Sequence, residues 1–198
     1  MRLCRLPFQL VFQRLIPFSG PIFCLLLPAP VLAAPDLWWE YMARYDKGLG
    51  VINVNLSLHK QTPLKDYPYL VTTGSTYKTS LFISLPDDAE KLRLQKLALQ
   101  ELAIIKAAGP MVEAGSFAYA GEYVHYVYVQ KTDGIEKGLA KLYANNPCKK
   151  CISYTNIRKD ETWFTYNKFL YPNPQTREFY KGRLAKMGFK HEDPAPAR

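Results

Sequence analysis

Histidine is scarce in this chain, with three in 198 residues, and the arrangements that usually carry catalysis are missing. There is no Gly-x-Ser-x-Gly elbow, no phosphate loop, no His-Glu-x-x-His and no Gly-x-Gly-x-x-Gly, so hydrolase, nucleotide, zinc-peptidase and dinucleotide chemistry have no local signature. No block of like charge occurs either. The 26 Lys and Arg are interleaved with 17 Asp and Glu, which leaves no nucleic-acid footprint despite a formal charge of +9. No apolar run reaches the roughly 18–20 residues that span a bilayer. Four cysteines are present, two of them at Cys4 and Cys24, and the other two form a Cys148-Lys-Lys-Cys151 pair.

The segment that does stand out at the start is a targeting signal. Arg2, Arg5 and Arg14 are the only charges before Asp36, an apolar run from Pro21 to Leu32 follows, and Val31-Leu32-Ala33 supplies the short side chains a signal peptidase reads. Cleavage after Ala33 is expected, with residues 1–33 as signal peptide. It removes 33 of the 198 residues and leaves 165, and the three arginines lost take the formal charge from +9 to +6. Cys24 is preceded by bulky Ile22 and Phe23, which argues against lipid attachment. The expected location is the periplasm of a Gram-negative cell, where a Cys-x-x-Cys pair is expected to be oxidised.

The mature chain reads as one domain over residues 34–188 with a polar, disordered tail over 189–198. Asp36 to Asp46, with Trp38, Trp39, Tyr41 and Tyr45, predicts a short capped helix ended by Gly48-Leu-Gly50. Ile52, Val54, Leu56 and Leu58 alternate with Asn53, Asn55, Ser57 and His59 in a strand pattern, and Tyr67 to Tyr77 predicts a second strand paired antiparallel with the first. Pro86 opens a long helix with the stripe Leu94, Leu97, Ala98, Leu102 and Ile105, closed by Gly109-Pro110. Val112–Tyr119 and Glu122–Gln130 predict a hairpin around Ala120-Gly121. Thr132 and Asp133 are expected to cap a helix carrying Ile135, Leu139, Leu142 and Tyr143. From Cys151 a β-branched and aromatic strand runs to Asp160, which is placed to cap a helix whose Trp163, Tyr166 and Leu170 share one face. Asn173-Pro174 starts a last helix with Phe179, Tyr180, Leu184 and Met187 apolar and Gly188 as its stop. The expected class is α+β: a mostly antiparallel sheet of about five strands with helices on one face, a relative of ferredoxin-like folds.

Taken together, these residues resemble the domain of unknown function 695 (DUF695) family. The features are Trp39 with Tyr41, Val51-Ile-Asn-Val-Asn-Leu56, Tyr67-Pro-Tyr-Leu-Val71, Pro86, Phe117-Ala-Tyr-Ala-Gly121 ahead of Tyr126 and Tyr128, and Trp163-x-x-Tyr166-x-x-Phe169-Leu-Tyr-Pro172. The resemblance spans about residues 36–187. It implies that Trp39, Tyr41, Trp163, Tyr166 and Tyr171 are structural, and it carries no established activity and no catalytic residue.

Candidate chemistry is confined to three places. Cys148 and Cys151 have redox spacing, but they follow a helix end and precede a strand, where a structural disulfide is the expected role. The row Asn53, Asn55, Ser57, His59 is a candidate ligand-binding face and also the ordinary polar side of a sheet. His59 and His125 are candidate bases for a hydrolase. Glu113 and Glu122 flank a hairpin without making an assigned acid–base pair, and no metal site or cofactor is expected. The leading expectation is therefore an exported binding or accessory protein without catalysis. Its aromatic-rich surface would meet an envelope protein or a small ligand, with thiol–disulfide exchange as the alternative.

Overall fold

The first segment expected to be a helix is a strand. In the computed structural model, which describes residues 36–79, 85–146, 148 and 150–187, β1 (Trp38–Tyr45) turns through Asp46-Lys47 into β2 (Gly48–Asn55). The aromatics of β1 fit either period. What decides is the partner, because pairing with β2 buries Trp39 and Tyr41 and leaves Glu40, Met42 and Arg44 outside. Gly50 is a strand residue rather than a stop: a Cβ there would lie 2.7 Å from the Phe117 ring. The expected signal peptide over residues 1–33, the expected tail over 189–198 and Gly188 fall outside the described residues.

β3 (Tyr69–Thr76), α1 (Asp88–Ala108), β4 (Met111–Tyr119), β5 (Glu122–Val129), α2 (Ile135–Ala144) and β6 (Ser153–Lys159) follow. Every neighbouring pair is antiparallel, and the sheet order is β1-β2-β4-β5-β3-β6. The β3-α1-β4-β5-α2-β6 part is a split β-α-β arrangement of the ferredoxin-like kind. The β1–β2 hairpin extends it beyond β4. The α+β class holds, with six strands instead of five. β2 and β3 are not a pair; each finds its partners later in the chain, which local sequence cannot specify.

The sheet is covered on both sides. α1 and α2 pack over Val71, Val127 and Val129 with Ile105, Ile135 and Leu139. Gly138 permits the close approach of the two helices, since a Cβ there would lie 2.7 Å from Ile104 Cγ2. The opposite face carries Trp39, Tyr41, Ile52, Val54, Tyr126 and Tyr128, and it is closed by the chain from Trp163 to Leu184. This segment ends in two short helices, α3 (Pro174–Phe179) and α4 (Lys181–Lys186), parted at Tyr180, so Phe179 is exposed while Leu184 is buried. Asn173 caps α3 as expected, accepting from Thr176 N–H. Two caps differ from expectation: Asp87, after Pro86, caps α1, and Gly134 at φ +76 starts α2 in place of Thr132 or Asp133.

Asp160 organises that closing segment. Its carboxylate accepts from Phe164 N–H (2.7 Å), Thr165 N–H (3.0 Å) and the Tyr128 hydroxyl (2.8 Å). Trp163, at φ +55, takes a left-handed conformation that costs a bulky residue about 1–2 kcal/mol. Its indole then lies flat on Tyr128, 3.7 Å between centroids, and burying that ring recovers more than the strain costs. Where a helix starting after Asp160 is expected, Trp163 stands outside helical geometry and Tyr166–Leu170 forms a π-helical turn, with Tyr171 N–H donating to Tyr166 C=O. Burial alone would raise the Asp160 carboxyl, but its hydrogen bonds from Thr165, Tyr128 and Phe164 outweigh that and hold it below its ordinary value. Asp160→Ala is expected to lower the unfolding free energy by about 3 kcal/mol or more at neutral pH, measured by urea denaturation. A lowered carboxyl stabilises above its unfolded value, so the difference from wild type should shrink as pH falls below 3.8.

Candidate functional site

On the face under α1, one rung of the sheet is polar from edge to edge. Glu40 stands opposite Asn53, Asn53 opposite Ser116, Ser116 opposite His125, His125 opposite Thr73 and Thr73 opposite Thr155. A sheet face packed by a helix is ordinarily apolar, and buried polar side chains are the informative exception. Ser116, His125 and Thr73 are buried, and Glu40 at the edge is exposed.

Where this rung leaves the cover of α1, a cavity of about 430 Å³ opens between the first turns of the helix and β1, β2, β4 and β5. Asn53, Ser116 and Tyr123 supply amide, hydroxyl and phenol; Leu94, Val51 and Ala118 supply apolar wall; Glu40 and Lys91 bring opposite charges. Tyr123 is held above its ordinary value by burial, and its hydroxyl lies 3.0 Å from His125 Nε2. His125 Nδ1 is buried without a partner among the described residues.

Deeper under α1 the polar groups join into a chain. Tyr143 of α2 donates to Glu101 Oε1 at 2.8 Å and shares a short hydrogen bond with Thr73 Oγ1, so α1, α2 and β3 meet at one carboxyl. Burial raises Glu101 to about 7, against the lowering effect of its bonds to Tyr143 and Thr73. Burial lowers His125 to about 4.

The sequence-chosen row is divided by the fold. β2 ends at Asn55, and Leu56–Leu58 forms a 3-10 turn, so the four residues do not share a face. Asn53 reaches the cavity. Asn55 is buried and caps the turn by accepting from Ser57 N–H; Ser57 Oγ accepts from Leu37 N–H; His59 stacks on Tyr171 at 3.6 Å. Glu113 and Glu122 lie at opposite ends of the β4–β5 hairpin, opposite Val127 and Tyr119. Cys148 and Cys151 are joined by a disulfide in the connection from α2 to β6, their Cα atoms 5.4 Å apart. Trp39, Tyr41, Trp163, Tyr166 and Tyr171 are all buried. Sequence reasoning missed Ser116, Tyr123 and Glu101. The signal for Glu101 was its position within the α1 stripe, between Leu97, Ala98 and Ile105.

Among the described residues no helix is long and apolar enough to cross a membrane, and no three His, Cys, Asp or Glu residues are grouped to hold a metal ion. The model of a family of unknown function (DUF695) matches residues 36–171. The chain belongs to that family. Its DUF695 region runs from just before β1 to Tyr171, taking in the whole sheet, the polar rung and the Trp163 turn, while α3 and α4 lie beyond it. No curated protein and no solved structure matches the chain.

Two outcomes follow from the titrating groups. Unfolding returns Glu101 toward 4.5, so stability should fall as pH rises from about 4.5 to about 7, by on the order of 3 kcal/mol in all. Glu101→Gln, which keeps an acceptor for Tyr143, should abolish that fall. Unfolding returns His125 toward 6.5, so stability should also fall as pH drops from 6.5 to about 4, and His125→Gln should flatten that limb; urea denaturation from pH 4 to 8 measures both. Replacing Cys148 and Cys151 with Ser should cost about 2 kcal/mol by the loop-closure estimate for so short a bridge, read from the same titration.

Proposed function

We propose that this protein is exported, loses residues 1–33, and binds a small polar molecule in the α1 cavity without chemical turnover. The observation that carries the binding reading is the polar rung opening into the cavity. Asn53, Ser116 and Tyr123 converge where packing alone would favour apolar side chains, in a space of about 430 Å³, within the range of small-molecule sites. Apolar wall and a few fixed hydrogen-bonding groups are the usual composition of such a site. The leader-like start and the bonded Cys148–Cys151 pair support export to an oxidising compartment. Recognition of an envelope protein through surface aromatics has a narrower base. Among the described residues, Phe164 and Phe179 are the large aromatics that are exposed, and most of the aromatic side chains pack inside.

Thiol–disulfide exchange is the weaker reading. The pair follows the C-terminal end of α2, where the helix dipole opposes a thiolate instead of stabilising it.

The test uses protein secreted through its own leader and purified from the envelope. Intact mass should place the new N-terminus at Ala34, and native mass spectrometry should show a co-purified small molecule or, with a panel of small polar metabolites, a thermal shift. Ser116→Leu and Asn53→Leu fill the cavity and should each remove the shift while leaving the unliganded Tm within a few degrees. A shift that survives both substitutions would place binding elsewhere.

A further inference from the structure

β1 is an edge of the sheet, and its outward backbone groups can be assigned. Leu56 N–H donates to Leu37 C=O at 2.8 Å, and Tyr45 with Gly48 closes the two-residue turn, so the odd-numbered residues of β1 direct their N–H and C=O groups toward β2. Trp38, Glu40, Met42 and Arg44 therefore direct theirs away from the sheet. In an antiparallel ladder a residue exchanging both hydrogen bonds faces one that does the same. A second copy adding along this edge must therefore pair even-numbered residues with even-numbered ones.

Among those registers, the one centred on Met42 is self-complementary. It sets Met42 against Met42, Glu40 against Arg44 of the second copy, and Arg44 against Glu40 of the second copy. Side chains alternate along a strand, so these three lie on one face of β1, and all three are exposed, Met42 at 51%. On the other face Tyr41 meets Ala43. Sliding by two residues sets Glu40 against Met42 and loses both charge pairs. The opposite edge, β6, carries exposed Arg158 and Lys159, a like-charged edge of the kind that discourages pairing.

We propose that two copies of this chain pair antiparallel through β1 about a two-fold axis at Met42, with reciprocal Glu40–Arg44 pairs, joining their sheets into one of twelve strands. Such an isologous contact closes after two copies. Glu40 and Met42 also line the cavity, so Arg44 of the second copy comes to stand at its outer rim. The pairing is independent of what the cavity holds.

Sedimentation equilibrium of the mature chain tests it, with circular dichroism confirming that each variant is folded. Wild type should dimerise at concentrations up to about 500 μM. Arg44→Glu sets Glu against Glu twice and should raise the dimer dissociation constant by about tenfold or more, as should Glu40→Arg, which sets Arg against Arg twice. The double variant, Glu40→Arg with Arg44→Glu, restores both pairs and should return the constant to within about threefold of wild type. Monomer throughout, a dimer indifferent to the single substitutions, a double variant that stays dissociated, or open-ended assemblies of β1 on β6 would each overturn the proposal.

Discussion

The carboxylate of Asp160 receives two backbone N–H groups and a phenol in a place where little water reaches, and the far side of the molecule depends on that arrangement. A charged acceptor satisfied three times costs far less to bury than one left bare, and its hydrogen bonds are the strong, charge-assisted kind. Holding the turn there lets Trp163 adopt its left-handed backbone and lie on Tyr128. It also brings the Tyr166 hydroxyl to Asn55 C=O and the Leu170 C=O to the Tyr41 hydroxyl. The last two bonds tie the C-terminal segment to the β1–β2 hairpin. An interaction near residue 160 thus fixes elements from residue 38 onward, including the strands that present Glu40 and Asn53 to the cavity.

The two faces of the sheet do different work. One is aromatic, with Trp39, Tyr128, Trp163 and Tyr166 packed to near-zero exposure, and the polar tips of Tyr128, Trp163 and Tyr166 donate to Asp160, Tyr67 C=O and Asn55 C=O. The other carries a polar rung, and its helices are joined to it by the Glu101–Tyr143–Thr73 chain as well as by apolar packing. Buried ionisable groups such as Glu101 and His125 detract from stability at one end of the pH range each, a cost that an apolar core would avoid. Positions retained at such cost are where function is reasonably sought.

Much of the local structure was legible. The Ala120-Gly121 turn takes positive φ at both residues, as a tight hairpin requires, and Asp160 and Asn173 cap as their positions suggested. The candidate site was legible only at Asn53 and His125. Asn55, Ser57 and His59 share its alternation, but the chain leaves the strand after Asn55, and alternation has no meaning once the backbone turns. Ser116, Tyr123 and Thr73 join His125 from three strands, each of the three reading as an ordinary strand residue in its own window.

The amino-acid sequence by itself determined what depends on neighbours in the chain: the alternation of β2 and β5, the stripe of α1, the caps, the hairpin turn, and the Cys148–Cys151 spacing that permits a local bridge. Only the tertiary structure decided which strands adjoin, that Trp38–Tyr45 is a strand, and that the aromatics point inward. It alone set six separate side chains on one rung beneath a helix. The physical reason is that register between strands is settled by burial summed over the whole sheet, a quantity no local window contains.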